Sequence, residues 1–221
     1  VTFSLVARDG DRFGVVASSS SPAVVARVAH LRPGVGAAAS QNVTDPRLGT
    51  RLLDRLAEHG DAGQALSEVA GAAENIGYRQ LTVLGRTGPG FAYSGARTLG
   101  THATATADGA VAAGNMLAGE HIPGVMIEAF AAATGELEQR LLAALRAAVA
   151  AGGEEGPVRS AGLVVVADVD WPVTDLRVDW ADDPVDRLAG ILEVWLPQRD
   201  DYVRRGLDPA SAPSYGVPGD L

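Results

Sequence analysis

The chain has 221 residues, 47% of them hydrophobic, which is enough for one sizeable domain with its own core. Its net charge of −9 comes with no basic stripe, so nucleic acid is excluded as an expected partner and the acidic surface reads as solubility. Cys is absent and all 18 of the Lys-plus-Arg residues are Arg, which excludes thiol nucleophiles, disulfides, thiolate metal sites, Schiff-base lysines, Ser–Lys dyads and P-loop chemistry.

An activated hydroxyl must therefore use a His, a carboxylate or the chain's own amine. No apolar run is long enough to span a bilayer, and no basic segment leads into an apolar one. No membrane partner is expected, and the cytoplasm is the expected location.

Residues 2–7 and 13–18 read as two strands joined by Arg8-Asp9-Gly10-Asp11-Arg12, where Asp-Gly between alternating segments signals a hairpin. Pairing would bring Ser18 to Ser21 back toward Thr2. Thr2 stands at the head of the first strand. If Val1 is an initiator, written Val from a GTG codon, its removal would give Thr2 both a hydroxyl and a free α-amine. That amine titrates near roughly 7.7–8.0 and could take the hydroxyl proton. A Thr chosen for β-propensity is the plainer reading.

A further strand ends over residues 35–41. Asp45 then caps a helix with Pro46 at its first position, a stripe of Leu48, Leu52, Leu53 and Leu56, and Gly60 as its end. Asp61 opens a second helix with Ala65, Leu66 and Val69 inward. Strands follow at 79–84, 91–94 and 110–113, then helices at about 123–133 and 136–150. The latter carries Leu137, Leu141, Leu142, Leu145 and Val149 and is broken by Gly152-Gly153. Residues 160–167 form a doubly buried strand with 173–178 as its partner. Asp183-Pro184 opens a last helix toward Trp195. A polar tail follows, irregular over 208–221. Groups of strands alternating with helix pairs suggest two antiparallel sheets between helical layers, with a single α+β sheet as the competitor. No linker splits the chain, so 1–221 reads as one domain.

None of His30, His59, His102 and His121 has metal-ligand spacing, and no metal site is expected; Asp168, Asp170 and a His are a weak alternative. Ser94 lacks the preceding Gly of a nucleophile elbow. Gly114-Asn115, just after a strand, offers an N–H and a side-chain amide, which suits an oxyanion hole or, more plainly, a turn. Arg159-Ser160 precedes a buried strand, where the Arg is a carboxylate clamp or a surface charge.

The chain resembles the family catalogued as domain of unknown function ten twenty-eight. The resemblance runs from Thr2-Phe3-Ser4-Leu5-Val6-Ala7-Arg8-Asp9 through Gly14-Val15-Val16-Ala17-Ser18, Gly34-Val35-Gly36-Ala37, Ser40-Gln41, Arg79-Gln80 and Gly114-Asn115-Met116-Leu117-Ala118-Gly119. It continues through Leu141 to Leu145, Gly152-Gly153 and Arg159-Ser160-Ala161 to the terminal Ala212-Pro213-Ser214-Tyr215-Gly216-Val217-Pro218-Gly219-Asp220. Two departures stand out. The segment after the double Gly is Glu154-Glu155-Gly156-Pro157-Val158 instead of an Asp- and Arg-rich one, and Arg159 replaces Gln before Ser160. The resemblance implies the Ntn (N-terminal nucleophile) hydrolase fold, a four-layer α/β/β/α sandwich with antiparallel sheets, in agreement with the element order.

With that resemblance, the expected function is amide hydrolysis through Thr2, with Asn115 stabilising the oxyanion. Ser18, Ser20 or Gln41 would orient the amine. Arg8 or Arg159 would hold a substrate carboxylate, with His102 and Ser160 close by. No cofactor is implied. The expected partner is a small amide or cyclic amide, and a homo-oligomer is compatible. The alternatives are a non-catalytic binding or structural protein on the same fold, and a hydrolase using an internal pair such as His102 with Ser94.

Overall fold

The computed structural model describes residues 1–217; Pro218, Gly219 and Asp220 of the terminal motif lie outside the described residues. The alternating opening stretch forms β1 (Thr2–Asp9), which turns into the antiparallel β2 (Arg12–Ser19). Gly10 takes φ +58 in the two-residue turn, the left-handed geometry that such a hairpin needs. A short helix, α1 (Val25–Val28), then carries the chain to a second sheet through β3 (Ala29–Arg32) and β4 (Gly36–Asn42). Neither α1 nor β3 is legible in the sequence, because each is shorter than the window over which a period can be read.

Capping fixes the next two helices. In α2 (Pro46–His59), the Asp45 carboxylate accepts from the Arg47 N–H at 3.1 Å, and Gly60 closes the helix at φ +71. In α3 (Ala62–Ala72), Asp61 accepts from the Gln64 N–H at 2.8 Å. The expected inner faces of both helices are buried. Then come β5 (Arg79–Gly85), β6 (Phe91–Ser94), β7 (Ala103–Ala107) and β8 (Ala110–Asn115). The helices α4 (Ile122–Ala132) and α5 (Leu137–Ala150) precede β9 (Ser160–Val166) and β10 (Pro172–Val178), and α6 (Pro184–Trp195) and α7 (Arg199–Leu207) end the ordered elements. The α5 stripe is buried at its four leucines, whereas Val149 is exposed at the last turn.

Strand order is β10-β9-β2-β1-β8-β7 in one sheet and β3-β4-β5-β6 in the other, every pairing antiparallel. Helices α4, α5 and α6 cover the outer face of the first sheet, and α2 and α3 that of the second. This is the four-layer α/β/β/α sandwich, and the single-sheet alternative is excluded. Strand alternation assigns the faces. Phe3, Leu5 and Ala7 pack toward α4 and α5, while Val6, Phe13, Val15, Ala17, Val111 and Val164 pack between the sheets against Ala37, Ala39 and Leu84. Among the described residues no helix is long and apolar enough to cross a membrane.

The helical layer is tightly seated on the central strands. A Cβ built on Gly14 would lie 2.5 Å from Leu141 Cδ1, so the fully buried Leu141 fills the hollow that this glycine leaves. Leu141→Ala should cost about 2–5 kcal/mol of stability. Asp45→Ala, which removes the α2 cap and an exposed pairing with Arg47, should cost about 1 kcal/mol. Urea denaturation of the two variants beside the parent checks this order, and equal losses would refute it.

Candidate active site

Register places the site. Thr2 lies opposite Asn115 across β1–β8, and Ser19 opposite Ser160 across β2–β9. Phe3 lies opposite Ser18, which sets Thr2 beside Ser19, hydroxyl to hydroxyl at 3.4 Å. Four polar side chains thus form a row, Ser160–Ser19–Thr2–Asn115, across one end of four adjacent strands. Each is an even number of residues from the inter-sheet valines of its own strand, so the row faces the second sheet.

Across the gap, Gln41, Gln80 and Ser94 form the answering row, paired through β4, β5 and β6. Buried hydrogen bonds join the two. The Ser4 hydroxyl donates to Gln41 Oε1 at 2.6 Å, and Gln41 Nε2 donates to Gln80 Oε1 at 2.8 Å and to the Ala113 carbonyl at 3.2 Å. Gln80 Nε2 donates to Ser94 Oγ at 2.9 Å and to the Gly114 carbonyl at 3.0 Å. Asn115 Nδ2 donates to Gln80 Oε1 at 3.1 Å, while its buried Oδ1 has no partner.

At the mouth of the row lies residue 1. Its carbonyl oxygen accepts from both the Thr2 and the Ser19 hydroxyls. Ser19 is itself oriented, because its Oγ also accepts from the Ser21 N–H at 3.0 Å. With residue 1 in place, Thr2 is 6% exposed and Asn115 is fully buried.

A carboxylate completes the site. Gly152 at φ +117 and Gly153 at φ +58 turn the chain out of α5, and the next residues pair with the segment beyond β8. The Ala118 N–H donates to the Gly153 carbonyl at 3.0 Å, and the Glu155 N–H to the Met116 carbonyl at 3.0 Å, with Glu154 opposite Leu117. Glu154 is 4% exposed, and neither carboxylate oxygen has a hydrogen-bond partner; Ser20 approaches it without closing a bond of good geometry. Burial raises its pKa to about 7, against the opposing pull of Ser20 and the Val1 amine. Burial also lowers the pKa of the Val1 amine, while the Glu154 charge acts to raise it.

The other candidates divide between supporting positions at this end of the sheets and places away from it. Ser18 lies on the opposite face of β2 from Thr2 and donates to the Ser160 carbonyl at 2.9 Å. Ser160 Oγ donates to the Ser21 carbonyl at 2.6 Å and accepts from the Val24 N–H at 3.2 Å, so it anchors the segment that leaves β2. Ser20 belongs with Glu154. Gln41 reaches the site only through Ser4 and Gln80, not at the head of β1. Arg8 is not brought to this site. It lies six residues along β1, about 20 Å away at strand rise, and donates to the Gly85 and Gly88 carbonyls, each at 2.9 Å. The Arg159 backbone reaches the Ser19 carbonyl at 2.8 Å, but its guanidinium pairs with Asp182 and lies over Trp180. His102 is exposed and bonds the Gly100 carbonyl at 3.0 Å; Ser94 is taken by Gln80, so the two form no pair. Among the described residues no group of three or more acidic or His side chains could hold a metal.

Sequence reasoning missed Ser19 and Glu154. The hairpin register contains the signal for Ser19, since a turn closed by Asp9 opposite Arg12 sets Thr2 beside Ser19 and no other serine. Nothing local marks Glu154, which is buried only by long-range pairing.

A family of unknown function, DUF1028, matches residues 2–188. No curated protein matches the chain in sequence. Among solved structures, protein SPO2555 from Silicibacter pomeroyi, of the same family, is 29% identical, with 92% of this chain and 90% of that one covered and a TM-score of 0.85. Two looser likenesses share 16% identity. One is to eukaryotic HslV from Trypanosoma brucei (74% of this chain, 98% of that one, TM-score 0.47), and the other to Thiobacillus denitrificans BPH in complex with epoxomicin (75%, 98%, TM-score 0.41). Neither carries functional weight.

The raised Glu154 pKa has a measurable sign. Between the ordinary Glu range and about pH 7 the folded chain keeps a proton that the unfolded chain releases, so stability falls as pH rises through this window. At pH 8 the full penalty applies, on the order of 3 kcal/mol. Glu154→Gln should therefore be more stable than the parent at pH 8, with the advantage fading toward pH 4. Denaturation curves at the two pH values test this; a Gln variant less stable at pH 8 would overturn it.

Proposed function

We propose that this chain, which belongs to the DUF1028 family, is an Ntn-type amidohydrolase that cleaves a small amide with Thr2 as nucleophile once residue 1 has been removed. One observation carries the reading. Thr2 Oγ stands at the head of a central strand, between Ser19 and Asn115, against the carbonyl of residue 1. A hydroxyl so placed already faces an acyl group. The Ntn resemblance of the Thr2–Asp9 stretch points the same way.

The chemistry follows from the groups present. Thr2 Oγ attacks the substrate carbonyl carbon while its proton passes to the Thr2 α-amine. The oxyanion lies where the carbonyl oxygen of residue 1 is held, near the Ser19 hydroxyl and the Asn115 amide. Collapse breaks the C–N bond, and the leaving nitrogen takes the proton from the α-ammonium. Water then attacks the Thr2 ester, giving up a proton to the amine, and releases the carboxylic acid and the free hydroxyl. No cofactor enters these steps.

A second reading rests on the same site. With residue 1 retained, the Thr2 nitrogen is a peptide nitrogen and cannot serve as the base, which fits a non-catalytic binding protein.

Intact-mass spectrometry of protein made from its native start, with turnover of a panel of small linear and cyclic amides, separates the two. The expected result is a chain beginning at Thr2 that hydrolyses at least one member, with activity abolished in Thr2→Ala. Asn115→Ala should lower kcat by roughly 10²-fold or more in a folded protein. Undiminished turnover in Thr2→Ala, or an active protein that keeps residue 1, would sink the mechanism.

A further inference from the structure

We propose that Glu154 is the receptor for a substrate α-ammonium group, so that the amides this site accepts are amino-acid amides with a free α-amine. The inference rests on the reading that residue 1 leaves, because only then is the room beside Glu154 vacated.

Residue 1 is the guide. It is an aminoacyl group joined to the Thr2 nitrogen, with its carbonyl oxygen held by the Thr2 and Ser19 hydroxyls. Its α-nitrogen lies where the Glu154 charge acts on it. An acyl group esterified to Thr2 Oγ would occupy nearly the same room, because the nitrogen and the oxygen of one Thr are joined through only two carbons. An amino-acid acyl group seated there would carry its α-ammonium toward Glu154, as residue 1 does.

Glu154 is built to wait for such a group. Both oxygens are buried, Ser20 approaches them without closing a bond of good geometry, and no Arg faces them with an ion pair. A lone buried carboxylate is costly, and an ionised carboxylate only accepts hydrogen bonds. A primary ammonium supplies donors and the opposite charge. The carboxylate is also held firmly. Backbone pairing to Met116 and Ala118 fixes residues 153–155 just beyond Asn115, and the Phe3 ring lies under Gly153. An amide lacking the amine would leave the carboxylate buried and unpaired, and a site of that kind discriminates strongly.

Glu138 shows what this chain does with a buried carboxylate that needs only a structural partner. One Glu138 oxygen accepts from Arg12 at 2.7 Å, Arg199 at 3.2 Å and Thr174 at 2.9 Å. With Arg as its sole long cation, the chain could have neutralised Glu154 in the same way. Glu154 has no such partner: the amine of residue 1 feels its charge but closes no ion pair with it.

The test is binding, read apart from hydrolysis. Protein released from a fusion so that it begins at Thr2 is titrated with L-valinamide and with 3-methylbutanamide, the same amide without the amine, by calorimetry or NMR. Valinamide should bind at least roughly tenfold more tightly, and Glu154→Gln should abolish the difference. A Thr2→Ala chain beginning at residue 2 should keep the discrimination while losing any hydrolysis. Failure of the nucleophile reading is therefore seen in turnover, and failure of this one in binding. Equal binding of the two amides, no binding of either, or discrimination that survives Glu154→Gln would overturn the proposal. Should the Gln variant fail to fold, the comparison of the two amides on the unmodified side chain still decides.

Discussion

The site depends on one geometric constraint, the register of the first hairpin. Side chains on a strand alternate, so a shift of one residue would send Thr2 into the helical layer and Phe3 into the gap between the sheets. The fully buried Phe3 and Leu5, packed toward α4 and α5, make that shift prohibitive. The apolar residues of β1 thus hold the hydroxyl of Thr2 on the inter-sheet face, beside Ser19 and opposite Asn115. Hydrophobic burial on one face positions the chemistry on the other.

The gap between the sheets is graded to match. Valines and alanines fill it along most of the strands, and small Ala37 and Ala39 let the sheets approach. At the end where β1 begins it turns into a polar network. There Ser4, Gln41, Gln80, Ser94 and Asn115 satisfy one another and two backbone carbonyls of β8. Such a network fixes rotamers more firmly than an apolar core would, since each broken bond strands a buried donor or acceptor. The floor beneath Thr2 is therefore rigid, and the unpartnered Oδ1 of Asn115 is the one atom of this group left without a hydrogen bond.

Legibility follows the range of the interactions. The helices α2 and α3 were readable because Asp45-Pro46, Gly60 and Asp61 act within a few residues of themselves. The hairpin, β5, β6, β9 and β10 were readable from alternation or continuous apolarity. By contrast, β7 is an edge strand of Ala and Thr that exists because β8 offers it a ladder. Helix α7 buries none of its own residues and is held at its start by Arg199 on Glu136 and Glu138 and by Tyr202 stacked on Trp195. Within the site, Thr2 and Asn115 were legible as strand ends. Ser18 and Ser20 were weighed in place of Ser19 because face was not read from register. Arg8 is expected as a carboxylate clamp, but six residues of strand carry it far from Thr2.

Glu154 and residue 1 form a coupled pair whose electrostatics differ from an ordinary ion pair. Burial pushes the carboxylate up to about 7 and the amine down, each toward its neutral form. Near neutrality the carboxylate therefore stands close to the midpoint between its charged and uncharged forms. Losing residue 1 takes that amine away, opens the space beside Glu154 and leaves the Thr2 α-amine as the new end of the chain, so the desolvation and the positive charge acting on Glu154 change together. Arg159, the nearest candidate cation along the sequence, is spent on Asp182 and Trp180 and does not fill that role. The charge state of the site thus follows from what occupies the room in front of Thr2, and residue 1 is the first such occupant.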